Sequence, residues 1–180
     1  MALATASTSQ QTYRFSGLIS VATAQAYDAA SPTATKPSTT SRSALLYDLG
    51  TTYPNLIKIV PSASNNNFTS VGMRVVGWSP YVTTSDTQIW IPTVLADTTL
   101  GYTSGTVANL SINSTTNYFF SSATVAASVP TVNIYTPATA AGANVEPASV
   151  IVDCVGSVIL QVQFKATGTT PQMGAFWYTI

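Results

Sequence analysis

Between Ser157 and Lys165 the chain reads SVILQVQFK. Val158, Leu160, Val162 and Phe164 fall on every second position, with Gln161, Gln163 and Lys165 between them. Apolar residues at a period of two line one face of an extended strand, whereas a helix needs a period near 3.6. The segment therefore predicts a half-buried strand, with the apolar set turned inward and the polar set toward water. No stretch of the chain shows a comparably clear helical period. The only segment open to a helical turn is Ser43–Leu49 (SALLYDL), which reads equally well as a strand.

Weaker versions of the same pattern recur along the sequence. Thr12–Thr23 mixes aromatic and β-branched residues and is interrupted at Gly17. Leu56–Val60 (LIKIV) is closed by Pro61. Thr69–Trp78 puts Val71, Met73 and Val75 on one face, and Ser79-Pro80 then predicts a bend. Thr87–Leu95 puts Ile89 and Ile91 opposite Trp90, with Pro92 pointing to an edge strand or a bulge. The TTSD run at 83–86 predicts a turn between the last two, and hence a hairpin. Thr106–Ile112, Asn117–Ser122, Thr131–Tyr135, Ser149–Val155 and Met173–Ile180 complete the set. The Pro- and Ser/Thr-rich run at 29–43 and the small-residue run at 138–143 read as loops. Many short strands at even spacing predict an all-β fold, an antiparallel two-sheet β-sandwich. A jelly-roll-like wiring is the first expectation, and a Greek-key sandwich of the immunoglobulin kind the second. Residues 1–12 are small, polar and aperiodic and predict an extended N-terminal arm ahead of a single domain over 13–180.

Charge bears on what such a sandwich can do. Asp, Glu, Lys and Arg make up 7% of the chain, six basic residues balance six acidic ones, and histidine is absent; an ordinary soluble domain carries roughly 25% charge. A fold of this size exposes on the order of 8,000 Å², which is about one charge per 700 Å². Fifty of the 180 residues are Ser or Thr, so hydroxyls replace charge. A surface with so little repulsion favours association with other copies or partners.

The same inventory argues against catalysis. Without histidine there is no Ser–His–Asp or Cys–His arrangement. The six carboxylates, Asp28, Asp48, Asp86, Asp97, Glu146 and Asp153, are scattered, and Asp86 reads as a turn residue. Cys154 is the single cysteine and lies in an apolar run, which predicts a buried, inert thiol. No cofactor, metal site or enzymatic activity is expected. The basic residues form no patch, so no nucleic-acid partner is expected. The N-terminal ten residues carry no positive charge followed by an apolar run, so they do not read as a signal peptide. No membrane span is expected either. The aromatic set Trp78, Tyr81, Trp90, Trp177 and Tyr178 is the candidate interface, against the plainer reading of core and sheet-face packing.

One resemblance adds to this reading. Ala148-Ser-Val-Ile-Val-Asp153, the turn at Cys154 and Gly156, the alternating Val158–Phe164 strand, Gly168-Thr-Thr170 and the closing Met173-Gly-Ala-Phe-Trp-Tyr-Thr-Ile180 form a run of structural features. It resembles small virion proteins of tailed bacteriophages, notably capsid decoration or cement proteins. The resemblance is confined to the C-terminal third. It implies a β-sandwich that oligomerises, commonly as a trimer, on the outside of a shell. Its partners would be the major capsid protein or other virion proteins, and it would be made in the host cytoplasm and end in the virion. Two other functions stay open: a tail, neck or minor head component, and a carbohydrate-binding or adhesin module that uses the aromatic set.

Overall fold

The computed structural model describes residues 13–15, 19–21, 27–28, 30–37, 44–49, 55–64, 68–101, 109–112, 115–120, 122–126, 133–135, 148–168 and 172–180. The arm expected at residues 1–12 and the loop expected at 138–143 lie outside them.

These residues form strands and no helix: β1 (Tyr13–Phe15), β2 (Ile19–Ser20), β3 (Ala44–Asp48), β4 (Leu56–Ala63), β5 (Phe68–Val82), β6 (Gln88–Gly101), β7 (Asn109–Ile112), β8 (Thr115–Phe119), β9 (Ser122–Val125), β10 (Asn133–Tyr135), β11 (Ser149–Asp153), β12 (Ile159–Gly168) and β13 (Gln172–Thr179). They pair antiparallel into two sheets. One has the order β1-β13-β4-β11-β10, with β2 also on β13 and β8 joining β4 to β7. The other has the order β3-β12-β5-β6-β9. The protein is a two-sheet β-sandwich. Within the segment that reads equally as helical turn or strand, Ala44–Asp48 forms β3.

The main core lies between the sheets. Ile57, Ile59, Val150, Val152, Met173, Ala175 and Trp177 come from the larger sheet. Leu45, Val71, Met73, Val75, Ala96, Leu100, Leu160, Val162 and Phe164 come from the five-stranded one. Each set sits on alternate positions of its strand, so the period of two does place the core. Across the gap, Tyr47 stacks on Trp177 with ring centroids 5.0 Å apart and planes at 15°.

The expectation for β12 needs a correction. Two of its three polar alternates do not face water: Gln161 and Gln163 are buried along with Ile159, whereas Lys165 is exposed as expected. β12 lies between β3 and β5, and the outer face of this sheet carries a second cluster of Val76, Trp78, Trp90 and Ile159, packed against Leu46 and Val158. Burial of both faces is a property of position in a sheet, which a period of two does not report.

Two proline expectations also need correction. β4 does not close at Pro61, and β5 does not bend at Ser79-Pro80; both strands run through. Pairing explains each case. Ile180 N–H donates to Leu56 O and Ser64 N–H to Gln172 O, so the even-numbered residues of β4 bond β13 and Pro61 turns its nitrogen the other way. On that side β11 pairs only as far as Ile59 and β8 begins at Ser62. Ala148 N–H bridges the gap to Phe120 O at 2.8 Å, so no ladder needs a proline amide there. Pro80 sits past the last β12 partner, Ile159 opposite Trp78, and its nitrogen points to an open edge. Pro92 marks an edge, as its residue type predicts. Trp90 exchanges both backbone bonds with Thr33, at 2.7 and 3.0 Å, so two residues on the nitrogen of Pro92 faces that same outer side. The irregularity of β6 falls nearby, where Leu95 is the extra residue between Val94 and Ala96.

Candidate interaction surface at one end of the sandwich

The β5–β6 hairpin extends past the start of β12. Its turn spans Thr83–Thr87, with Thr87 O accepting from Thr83 N–H and Thr83 O from Asp86 N–H. Asp86 adopts φ 57°, a left-handed conformation that aspartate tolerates better than most residues. Beyond Trp78 the two strands have, among the described strands, only each other, apart from the Thr33 bridge to Trp90. Tyr81 pairs with Ile89 and Ser79 with Ile91. These residues share the face that continues the inner side of the sheet, but no described strand lies opposite. Tyr81 is 55% exposed and Ile91 36%.

The neighbouring turn reaches the same place. Asp153 closes β11, and its Oδ1 accepts Val155 N–H at 2.9 Å. Ser157 N–H returns to Cys154 O with Gly156 at φ +81°, a turn of the kind that calls for glycine at its third position. Ser79 Oγ donates to Gly156 O at 2.6 Å and ties this turn to the root of the hairpin. Cys154 donates both N–H and thiol to Asn55 O, at 2.9 and 3.3 Å. Ile180 is held beside it through Leu56. Burial, and secondarily the Asp153 carboxylate, push the Cys154 thiol up to about 11, so it stays protonated and unreactive at neutral pH.

One consequence is a sorted surface. The large apolar side chains exposed among the described residues are Tyr81, Val82, Ile91, Val155 and Ile180. All five lie at this one end, where β4 begins, β11 and β13 finish and the hairpin projects.

The aromatic set divides differently from its expectation as a group. Trp78 and Trp90 come together at the hairpin root and are buried there. Trp78 Nε1 donates to Gln161 Oε1 at 3.1 Å, and Gln163 Nε2 donates to the same oxygen at 3.1 Å. Trp177 is buried in the main core. Tyr178 packs on Val60 and Phe176 on the outer face of the larger sheet. Only Tyr81 stands out into solvent. Val82, Ile91, Val155 and Ile180 were not singled out from sequence. Each is one apolar residue among many, and only the strand ends bring them together.

Toward the other end of the five-stranded sheet lies a polar cluster. Arg74 pairs with Asp97 through Nη2 at 2.7 Å and Nε at 3.1 Å. The Tyr27 ring lies against both Arg74, whose guanidinium carbon is 4.3 Å from its centroid, and Lys165, whose Nζ is at 5.1 Å. Among the described residues no group of Cys, Asp and Glu is arranged to hold a metal, and no helix is long and apolar enough to cross a membrane. No protein family, curated protein or solved structure matches the chain.

Proposed function

We propose that this chain is a structural virion protein of the capsid decoration or cement kind, which stabilises a phage head by bridging neighbouring capsid subunits. The observation that carries the reading is the gathering, among the described residues, of the exposed large apolar side chains at one end of a sandwich whose chain is only 7% charged. Exposed apolar side chains gathered at one end mark an interaction site, and a shell multiplies weak contacts because each further one is effectively intramolecular. The apolar end is then the working face toward the shell. The jelly-roll wiring belongs to this proposal: the chain crosses repeatedly between sheets, from β3 to β4 to β5 and from β11 to β12 to β13. So does a homo-oligomeric state, with a trimer expected.

A carbohydrate-binding module needs exposed aromatic faces. Within the aromatic set, Trp78, Trp90 and Trp177 are buried, which leaves Tyr81 and the half-buried Tyr178 on different sheets. That distribution favours the assembly reading.

The test is mass analysis of particles purified from the source that encodes the chain, with light scattering of the isolated protein. The reading requires the chain in the particles at a fixed ratio to the shell protein. Its absence from the particles overturns the reading. A clean monomer in dilute solution overturns the trimer in solution but not attachment to a shell.

A further inference from the structure

We propose that the apolar end docks onto a different protein, at an apolar depression edged by lysine or arginine. This rests on the reading of that end as the working face and names the chemistry of its partner.

The parts of this end are tied together through the backbone. Ile180 bonds Leu56, Cys154 bonds Asn55 beside it, and Val155 follows Cys154 in the turn that Gly156 ties to Ser79; Ser79 faces Ile91, which lies next to the Tyr81–Ile89 pair. Val155 is 69% exposed, Val82 60% and Ile180 58%. Two exposed carboxylates flank this surface, Asp86 in the hairpin turn and Asp153 at the end of β11. Two basic residues near this end, Lys36 and Lys58, are engaged. Lys36 holds Asp48 at 3.0 Å, and Lys58, further in along β4, has an interaction of its own. Arg74 and Lys165 belong to the cluster around Tyr27 toward the other end of the sheet. The end therefore presents apolar surface with a negative rim.

Charge decides the occupant. Two copies meeting by this end would gather Asp86 and Asp153 from both molecules around one desolvated patch. Like charges across an interface are penalised, whereas complementary ones steer encounter and fix register. A basic rim on another protein meets the carboxylates, and an apolar depression accepts Tyr81, Ile91 and Val155.

The test uses the full chain and two fluorescent amphipathic peptides of equal length, one built of leucine and lysine and one of leucine and glutamate. The lysine peptide is expected to bind about tenfold or more tighter, a difference of about 1.4 kcal/mol, and to weaken in high salt. The variant I91S/V155S should lose binding while its melting temperature stays near that of the wild type. D86K/D153K should reverse the preference between peptides. Equal affinity for both peptides, no binding of either, or an unchanged preference in D86K/D153K overturns the proposal. So does a concentration-dependent dimer that I91S/V155S dissolves, which would make the occupant a second copy. Absence of the chain from virions with the peptide preference intact removes the virion reading alone. Presence in virions with equal peptide affinities removes this docking inference alone.

Discussion

Gly72 lies directly under Tyr27. A Cβ there would overlap the Tyr27 hydroxyl oxygen and stand 3.3 Å from Lys165 Cγ. The obstacle is the far end of a ring, but that ring contacts two cations, Arg74 and Lys165, so it yields at some cost. Gly72→Ala is expected to destabilise by about 1 kcal/mol, the low end for overpacking, and by less in a Tyr27→Phe background. Urea unfolding of the double-mutant cycle measures the coupling, and equal losses in both backgrounds would sink this account. Gly77 has a stiffer neighbour: its Cβ would overlap the Oγ of buried Ser157 and lie 3.0 Å from Leu95 Cδ1. Two acids shape the pH response. Cys154 is raised from 9.0 to about 11. Tyr27 is raised above its ordinary 10.0, by burial first and by Asp97 second, against Arg74. For both groups the unfolded chain deprotonates first, so the native state holds more protons above pH 9. Their contribution is complete below about pH 9 and is lost as pH rises through the folded values. With no histidine, stability is expected to be flat from about pH 6 to 8.5 and to fall beyond. Denaturation midpoints from pH 7 to 11 test this, and Cys154→Ala should make the alkaline decline shallower.

At the scale of elements, the prolines show what a strand tolerates. Pro61, Pro80 and Pro92 each sit inside a strand, and each turns its missing donor toward a place where no neighbouring strand asks for one. Pro92 and the bulge at Leu95 also guard the outer edge of β6 between the Thr33 bridge and β9, as edge strands require. Pro92→Thr would restore an outward N–H. Light scattering should show more concentration-dependent association than in the wild type, with the fold unchanged; no added association would mean that the edge is guarded by other means. β12 depends on its buried amides. Gln161→Leu would strand the indole N–H of Trp78 and the amide of Gln163, at about 1–3 kcal/mol for each buried donor left unpaired. A total loss of about 2–4 kcal/mol is expected by chemical denaturation, and Trp78→Phe in the same chain should recover part of it. If Gln161→Leu proved neutral, the buried network would contribute nothing to stability.

At the scale of the molecule, deletion of residues 1–12 is expected to weaken assembly more than folding. Melting temperature and particle binding of the truncated chain check this, and equal losses in both would refute the arm. Much of the fold is legible in the sequence. The alternation in Leu160–Phe164 and in Val71–Val75 marks the core-facing side chains, because strand geometry sends every second residue the same way whatever surrounds it, whereas Val158, ahead of the strand, packs on the outer cluster instead. Turn chemistry at 83–86 marks the hairpin for a similarly local reason. The sandwich follows, since many short two-faced strands have few other ways to bury one side. What only the tertiary structure decides is what lies beyond that side. Gln161 and Gln163 read as solvent-facing and are buried, because β12 is an inner strand whose outer face is covered. Trp78, Trp90 and Trp177 read as a possible surface and are buried, whereas Val155 and Ile180 read as ordinary strand-end residues and stand exposed beside Tyr81. Periodicity is a short-range property of the backbone and survives in the sequence; the meeting of strand ends from distant parts of the chain depends on pairing order and register, which no local pattern encodes.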